Sequence, residues 1–442
     1  MICIFYQAQT LIVTSEERAT HRLHERVMRI LLLMQWFDPE PQVKGLVFAK
    51  KLRDLGHQVE VLTGFPNYPG GDVYPGYSIK LFQVEMMDGI RIMRVPLYPS
   101  HDGSSFRRIL NYVSFGITSC LAGLCLVSRP AVIYACGPPV TVGVSASLIS
   151  LFRRVPFVYD VQDLWPDSLA ATGMLKNSYA LKVIKKVCDW VYSRAGHITV
   201  QSPGVRDRLV NCGLGEEKVS VIFNWCDESS TDNQLPVTNK PNRLNSTEKS
   251  QRIFDVLFAG NMGKAQEMDA ILESGLILKI ENPSIRLLLL GGGVEVTRLK
   301  KMVEDLAITN VKFLPRIPMA EVGAVLASAD ALLVHLKDDP LFRITIPAKT
   351  QAYMAAGKPI LMAVAGDATQ LILGSGAGIC AQPANARSIA DAIMKLASLE
   401  PEKLHEMGES GRSFYWKKLS LDVGVRKFLT VFARAINSDG TV

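Results

Sequence analysis

Short apolar runs alternate with helix-length segments along almost the whole chain, and this alternation limits the possible folds more than any other feature. Runs typical of buried strands start at Arg29, Val59, Phe157, Phe254 and Ile285. Because strands separated by helices pair in parallel, the pattern predicts an α/β protein built from doubly wound sheets. Ligands of such sheets bind beyond the carboxyl ends of the strands. The residues that follow each apolar run are therefore the first candidates for a functional site.

The chain divides into two predicted domains. Its 442 residues exceed what one core usually holds. Residues 226–250 are polar, charged and poor in large apolar side chains, as linkers are. We therefore predict one domain at 28–225, a second at 251–407 and a helical tail at 408–442.

Residues 1–27 fit poorly with the rest of the chain. Their short apolar patch is broken by Gln7 and Gln9, and no basic segment precedes it, which does not match a signal peptide. Met28 begins the first apolar strand. We therefore expect Met28 to be the true start and residues 1–27 to be a non-native leader from a mis-set start codon.

Charge and cysteine content exclude several classes of function. The chain carries 49 Lys and Arg against 42 Asp and Glu, a formal excess of +7, and no nucleic-acid-binding motif accompanies it. Its eight cysteines are scattered singly, without a C-x-x-C pair or a Cys/His pair at metal spacing. We therefore expect no nucleic-acid partner, no metal or cofactor, and reduced thiols in a cytoplasmic protein.

One apolar segment has the length of a membrane span. Ile109–Val127 contains 19 residues without a charge and is flanked by Arg107, Arg108 and Arg129. However, the segment contains Asn111 and several Ser and Thr, and a buried strand follows after a short link. The sequence therefore favours a helix that is packed or lies against a membrane over one that crosses it.

Three turns in the second half share one design. FAGNMGKAQ (258–266) leaves a strand through two glycines and carries Lys264. LLLLGGGVE (287–295) leaves a strand through three glycines, and ITIPAKTQAYMAAGKPI (344–360) places Lys349 at a helix start. None of the three matches a dinucleotide fingerprint or a P-loop by itself. Together they predict two lysines and two amide-rich turns along one sheet edge, which suits a diphosphate.

The segment YDVQDLWPDS (159–168) follows a buried strand in the first half. It places Asp163 and Trp165 on a loop, where Asp163 suits a general base or a residue that positions an acceptor. The alternative is that the Asp residues only cap a helix near Leu169.

Together these segments resemble the GT-B glycosyltransferases, a large family of retaining enzymes that use nucleotide-sugar donors. The similarity is strongest to the bacterial branch that builds O-antigen lipopolysaccharide and capsule polysaccharides and includes N-acetyl-L-fucosamine transferases. The matching segments run in the family's order from Met28 nearly to the end: GHQVEVLTGFPNYPGG (56–71), YDVQDLWPDS, VIFNWCD (221–227), FAGNMGKAQ, LLLLGGGVE and IPAKTQAYMAAGKPI. The resemblance implies two Rossmann-like domains facing each other across a cleft. The N-terminal domain would take the acceptor, the C-terminal domain would bind the donor, and the tail would return to the N-terminal domain.

The resemblance also implies which residues bind the donor. Lys264 would act catalytically on the diphosphate, Lys349 with Thr350 would hold phosphate, and the loop around Arg316 would border the base. The implied donor-binding residues are Gly45, Gly263, Lys264, Gly291, Gly292, Arg316, Lys349, Thr350 and Gln351.

On the acceptor side, the resemblance implies a loop from Glu40 to Gly45 that lies over the donor. Asn224–Asp227 would mark the crossing between domains. Asp163, on the loop after the buried strand, is the second predicted catalytic residue. The implied acceptor-side residues are Glu40, Lys44, Asp163 and Trp165.

Two departures from the family pattern affect the mechanism. Many members carry two glutamates eight positions apart, but the corresponding positions here are near Arg343–Ile344 and at Ala352. Many members also carry an arginine where this chain has Asn261. We therefore assign the ribose contact to Gln351. The missing carboxylates imply either a deoxy or N-acetylated donor sugar or an impaired enzyme.

The favoured hypothesis is a retaining transferase that moves a sugar, such as N-acetyl-L-fucosamine, from a UDP-sugar to a lipid-linked oligosaccharide. The acceptor would be of the undecaprenyl-diphosphate type, and the protein would be peripheral on the inner face of the plasma membrane. One alternative is a UDP-sugar epimerase of the same fold. The other is a non-catalytic, membrane-associated assembly subunit.

Overall fold

The computed structural model describes residues 27–100, 105–171, 173–175, 177–230 and 253–439. The expected leader, apart from Val27, and most of the predicted linker lie outside these ranges.

The chain forms two compact units. Among the described residues, the first unit contains those up to Val161, Trp190–Thr199 and those from Val425 onward. The second unit contains the described residues of Gln162–Asp189 and Val200–Gly424.

The first sheet has eight strands in the order β3-β4-β2-β1-β5-β6-β7-β8. They are β1 (Arg29–Met34), β2 (Gln58–Gly64), β3 (Gln83–Met87), β4 (Ile90–Val95), β5 (Val132–Gly137), β6 (Phe157–Val161), β7 (His197–Val200) and β8 (Val219–Val221). β1 is parallel to β2 and β5, whereas β3 is antiparallel to β4. Residues 30–34 are all buried, which explains why β1 is an almost continuous apolar run.

Helices connect the strands of the first half. They are α1 (Leu46–Asp54), α2 (Ser105–Cys125), α3 (Val140–Arg153), α4 (Asp167–Ala171), α5 (Ser178–Arg194) and α6 (Pro203–Asn211), with 3-10 turns at Glu216–Lys218 and Glu228–Ser230.

The second sheet has six strands in the order β11-β10-β9-β12-β13-β14. They are β9 (Phe254–Asn261), β10 (Ile285–Gly292), β11 (Val311–Leu314), β12 (Ala331–His335), β13 (Ile360–Ala363) and β14 (Gly378–Cys380). The strand pairs in this sheet are parallel. The order reverses at β9, between β10 and β12, and a doubly wound sheet binds its ligand beyond the strand ends at such a reversal.

The helices of the second half begin with a 3-10 turn at Lys264–Gln266. They are α7 (Asp269–Glu281), α8 (Val296–Asp305), α9 (Met319–Ser328), α10 (Pro340–Arg343), α11 (Lys349–Ala355), α12 (Asp367–Ser375), α13 (Ala386–Ala397), α14 (Pro401–Lys418) and α15 (Leu421–Asp439). Buried side chains of the sheet, including Leu287 and Leu289, share a core with Ile271 of α7 and Ile389 and Ile393 of α13. This core holds the strand ends in fixed positions.

The predicted fold class, two Rossmann-like α/β domains, is confirmed. Sequence reasoning missed β3, β14 and the helices α6, α10 and α12. The residues of β3 alternate between half-buried and exposed at the edge of the first sheet, so no apolar run marks them. β14 has only three residues, all half-buried, which is too short for a recognisable period.

Candidate active site

Two glycine turns meet at the carboxyl ends of the central strands β9 and β10. Gly260 is paired with Gly291, and Asn261 with Gly292. Gly260 and Gly291 have φ of +138° and +133°, and a side chain at Gly291 would overlap the Gly260 carbonyl oxygen. The Met262 N–H donates to the Gly292 carbonyl at 2.7 Å. Glycine is therefore required where the two turns pack against each other.

The turn that carries Lys264 is fixed by its own hydrogen bonds. The Gly263 N–H donates to the Gln266 side-chain oxygen at 3.0 Å. The Lys337 N–H, just after β12, donates to the Ala265 carbonyl at 3.0 Å. The Lys264 side chain is exposed. Its charge is therefore available at the strand end, and its contact with a donor stays a prediction.

His335, the last residue of β12, holds the Lys264–Gln266 turn through a hydrogen bond to Gln266. Sequence reasoning missed this residue. The ring is buried, and its Nε2 lies 3.0 Å from the Ala384 amide nitrogen. Because an amide N–H can only donate, Nε2 must accept, and Nδ1 therefore donates to the Gln266 carbonyl at 2.7 Å. Burial lowers the His335 pKa, and the neighbouring Lys349 charge adds to this effect. A polar residue ending the apolar run ALLVH was the only sequence signal.

Tyr353 positions Lys349. The Tyr353 hydroxyl accepts from the Ala259 N–H at 2.7 Å and donates to the Ala259 carbonyl at 3.1 Å, which pins α11 to β9. Lys349 lies four residues earlier, on the same side of the helix. Its Nζ is 3.5 Å from the centroid of the Phe258 ring. A Cβ at Gly260 would lie 3.1 Å from this Nζ, so the glycine also leaves room for the lysine.

Lys349 Nζ is buried and has no hydrogen-bond acceptor among the residues that the structure describes. Burial lowers the Lys349 pKa to about 7. The Thr350 hydroxyl is likewise buried without a partner in the described part of the chain. Buried polar groups are normally hydrogen-bonded, and an unpaired ammonium is costly. The two groups fit a site that is completed by an anion.

Arg316 adds a third cation to this region. Its side chain is exposed, and its Nε would lie 3.5 Å from a Cβ placed on Gly292. The structure thus brings together most of the predicted donor-binding residues of the second domain, which are Gly263, Lys264, Gly291, Gly292, Arg316, Lys349 and Thr350.

The Gln351 side chain is buried and bonds to the backbone just before it. Its amide nitrogen donates to the carbonyls of Ala348 and Pro347 at 3.0 and 3.2 Å. Its assignment to the ribose stays a prediction. At the position where many family members have the first glutamate, Arg343 forms an exposed pair with Asp338 at 2.7 Å. Asp338 therefore supplies a carboxylate close to that position, which the sequence comparison overlooked.

The predicted acceptor-side residues Glu40 and Lys44 belong to the first unit and are buried there. Glu40 accepts from the backbone N–H groups of Phe37, Asn67 and Tyr68 at 2.8 to 3.0 Å. Burial raises the Glu40 pKa to about 7 although these hydrogen bonds oppose the shift. Glu40 therefore organises two loops, and a direct contact with an acceptor stays a prediction.

Lys44 pairs with Asp160 at 2.7 Å in the interior of the first unit. The same carboxylate accepts from the hydroxyls of Tyr134 and Thr199, both at 2.7 Å. This network satisfies the buried charges. The structure thus shows a structural partner for Lys44, and its proposed role toward the acceptor stays a prediction.

Gly45 precedes α1, where the Asp38 carboxylate accepts from the Leu46 N–H at 2.7 Å. A side chain at Gly45 would overlap that carboxylate. The glycine is therefore needed for this helix start, independently of any donor contact.

Asp163 and Trp165 lie in the second unit, on the loop after β6. Solvent reaches the Asp163 side chain, but surrounding protein atoms raise its pKa by desolvation. The Asn224 side chain donates to the side-chain oxygens of Gln162 and Gln201, both at 2.8 Å, and so anchors the start of this loop. A carboxylate with a raised pKa suits proton transfer.

Within the described ranges, no group of three or more His, Cys, Asp or Glu side chains is arranged to hold a metal ion. Lys264, Lys349 and Arg316 lie near the ends of β9 and β10, and together with the glycine turns they suit an anionic ligand.

Comparison with known families identifies two domains in the chain. Residues 46–225 match the family model for a glycosyl transferase 4-like domain, and residues 239–414 match the model for glycosyl transferases group 1. These two domains identify the chain as a glycosyltransferase, and its pair of Rossmann-like domains has the GT-B fold.

Two curated relatives are similar in sequence. The probable glycosyltransferase WbjE of Pseudomonas aeruginosa is 29% identical over 61% of this chain and 66% of its own length, just under two thirds. The putative colanic acid biosynthesis glycosyl transferase WcaI of Escherichia coli is 24% identical over 75% of this chain and 82% of its own length.

Solved structures share the fold. HepE of Anabaena, in complex with UDP and glucose, has a TM-score of 0.61 at 16% identity, covering 91% of this chain and 98% of HepE. A trehalose-6-phosphate structure from E. coli bound with UDP-2-fluoro glucose has a TM-score of 0.69 at 10% identity, covering 91% of this chain and 99% of that one.

Proposed function

We propose that this enzyme transfers a sugar from a UDP-sugar to a lipid-linked oligosaccharide during assembly of a bacterial surface polysaccharide, with retention of anomeric configuration. The observation that carries the proposal is the buried Lys349 ammonium beside the glycine turns of β9 and β10, which has no hydrogen-bond partner in the described part of the chain. The relative WcaI is named for colanic acid biosynthesis, and HepE binds UDP and UDP-glucose. These relatives support a uridine nucleotide and a polysaccharide product.

In the proposed reaction, the bond between the sugar C1 and the diphosphate oxygen breaks while a bond from C1 to the acceptor oxygen forms on the same face. Lys349 and Lys264 stabilise the negative charge that develops on the departing diphosphate. The lysines are already in place, so little reorganisation is needed as the charge appears. The acceptor hydroxyl proton leaves with a diphosphate oxygen or passes to Asp163, whose pKa is raised.

The proposed donor sugar is an N-acetylated or deoxy amino sugar such as N-acetyl-L-fucosamine. Near the position of the first family glutamate, this chain has Arg343 paired with Asp338. An ion pair presents a different set of hydrogen-bonding groups from a single carboxylate. The change therefore supports a sugar whose hydroxyl pattern differs from that of glucose.

The first test is binding. Thermal shift is measured with UDP-, GDP- and dTDP-sugars, because a ligand that binds only the folded state raises the melting temperature. Stabilisation by UDP-sugars alone supports the proposal. Failure to bind any nucleotide sugar would instead favour a non-catalytic assembly subunit.

The second test is turnover with a lipid-linked acceptor. Lys264→Ala should lose transfer by about a hundredfold, the scale of one removed charge-stabilising group. Lys312→Ala, which removes an exposed lysine from β11, is the matched control and should retain activity. Near-normal turnover of the Lys264 variant would contradict the mechanism. Conversion of the UDP-sugar without any acceptor would identify an epimerase.

A further inference from the structure

Helix α2 exposes a continuous apolar face. Six large apolar side chains lie on one side of the helix and are 38% to 69% exposed. They form what we call the outer face: Phe106, Ile109, Leu110, Val113, Ile117 and Leu121. An exposed apolar stripe of this length on a protein surface marks a site of interaction.

The opposite side of α2 is packed inside the first unit. Asn111, Phe115 and Ser119 are buried there. Asn111 accepts from the Gln35 side chain at 2.5 Å and donates to the Tyr98 carbonyl at 2.7 Å. These buried polar contacts tie the helix to the domain along its inner side.

Helix α3 fixes the second half of α2. The Ser145 hydroxyl donates to the Gly116 carbonyl at 2.6 Å. At the carboxyl end, the Arg153 guanidinium donates to the Gly123 and Val127 carbonyls at 2.8 and 2.7 Å. A cation bound to the last carbonyls stabilises a helix end.

These contacts distinguish three possible roles of α2: a core helix, a helix that crosses a membrane, and a helix that lies in the plane of a membrane surface. Phe106–Cys125 is long and apolar enough to cross a membrane, but only 28% of its apolar window is buried in the protein. A core helix would be mostly buried, whereas a spanning helix would have to give up the hydrogen bonds of Asn111 and Arg153. A helix with one side in the protein and an apolar side outside is suited to lie in the plane of a membrane surface.

The charge around the helix indicates which surface it would meet. Between residues 103 and 159 the chain has five arginines and neither Asp nor Glu. Arg107 is exposed at the start of α2, and Arg129 and Arg154 are exposed beyond its end. Arginines that flank an apolar face favour anionic lipid headgroups, and each contributes about 1 kcal/mol of attraction near such a surface.

We propose that the outer face of α2 docks on an anionic bilayer and inserts its apolar side chains at the headgroup boundary without crossing it. The flanking arginines contact the lipid phosphates. The inference rests on the exposed face and its charge, and it holds whichever nucleotide sugar the enzyme uses. Its test is therefore independent of transfer activity.

The experiment is flotation of the full-length protein with vesicles. The protein should bind vesicles of phosphatidylglycerol and phosphatidylethanolamine at least about tenfold more strongly than vesicles of phosphatidylcholine alone, and binding should weaken as salt rises. The double variant Ile117→Asp/Leu121→Asp should bind about tenfold less because it loses buried apolar area and adds like charge. Ile280→Asp, at an isoleucine 76% exposed on α7, is the matched control and should bind normally.

A second measurement leaves the outer face intact in case the double variant does not fold. An environment-sensitive dye is placed on Cys125, an exposed thiol at the end of α2, or on Cys212, an exposed thiol on the second unit. Both labels are made in single-cysteine variants. Anionic vesicles should shift the emission of the Cys125 dye and leave that of the Cys212 dye unchanged.

Several outcomes would overturn the proposal. Wild-type protein that binds no vesicles, or a double variant that binds as well as wild type, would exclude this face as the docking surface. Loss of a dimer in the variant, without loss of vesicle binding, would identify the face as a contact between two copies. Resistance to alkaline extraction from membranes would show a spanning helix instead.

Discussion

The buried ammonium of Lys349 predicts that donor binding takes up a proton above neutral pH. In the free protein, burial lowers the Lys349 pKa from 10.5 to about 7. A bound diphosphate would pair with the ammonium and raise that pKa again. The affinity for a UDP-sugar should therefore be highest below pH 7 and fall as the pH rises above 7.

The size of the effect follows from the pKa. With a free-state pKa of about 7, Lys349 is about nine-tenths neutral at pH 8 and about one-tenth neutral at pH 6. Binding should therefore take up about 0.9 proton at pH 8 and about 0.1 at pH 6. The dissociation constant should rise by up to about tenfold per pH unit above 7, until the pKa of the bound state is reached.

Isothermal titration calorimetry in buffers of different ionisation enthalpy measures this proton uptake. A UDP-sugar is used instead of UDP, because the terminal phosphate of UDP titrates with a pKa of about 6. Lys349→Met should bind more weakly at pH 6 and lose the uptake at pH 8. Equal affinity at pH 6 and pH 8, or proton uptake that persists in Lys349→Met, would refute the role given to this lysine.

Two further predictions concern stability. Gly291→Ala should lower the free energy of unfolding by about 2–4 kcal/mol, because the new methyl group overlaps the neighbouring strand at a φ of +133°; Gly374→Ala, where the added methyl group meets open space, is the control. Lys44→Met should lower the free energy of unfolding by about 3–5 kcal/mol, because it leaves the buried Asp160 carboxylate without its cation. Lys50→Met removes the lysine of an exposed pair and should lower the free energy of unfolding by less than about 1 kcal/mol. Denaturant unfolding monitored by circular dichroism measures both, and a Gly291 variant as stable as the Gly374 variant, or equal losses in the two lysine variants, would contradict the reasoning.

Most of the fold was predictable because buried parallel strands leave a strong signal. Phe157–Val161 was predicted at its observed bounds, since all five residues are apolar or buried in the sheet. The elements that sequence reasoning missed are short or lie at an edge, where half-buried residues mix polar and apolar types. The outer face of α2 was also ambiguous, because a run without charges reads the same whether it faces a core, a lipid or water.

The sequence by itself determined that Lys264 and two glycine turns follow strands and that Lys349 begins a helix, and it predicted that they share one edge of a sheet. Only the tertiary structure decided their electrostatic states. Lys264 is exposed, whereas Lys349 lies under Gly260 against Phe258 with its pKa lowered to about 7. The reason is that the positions of strands along the chain follow from local pattern, but the pKa of a charge depends on desolvation by residues far away in the chain.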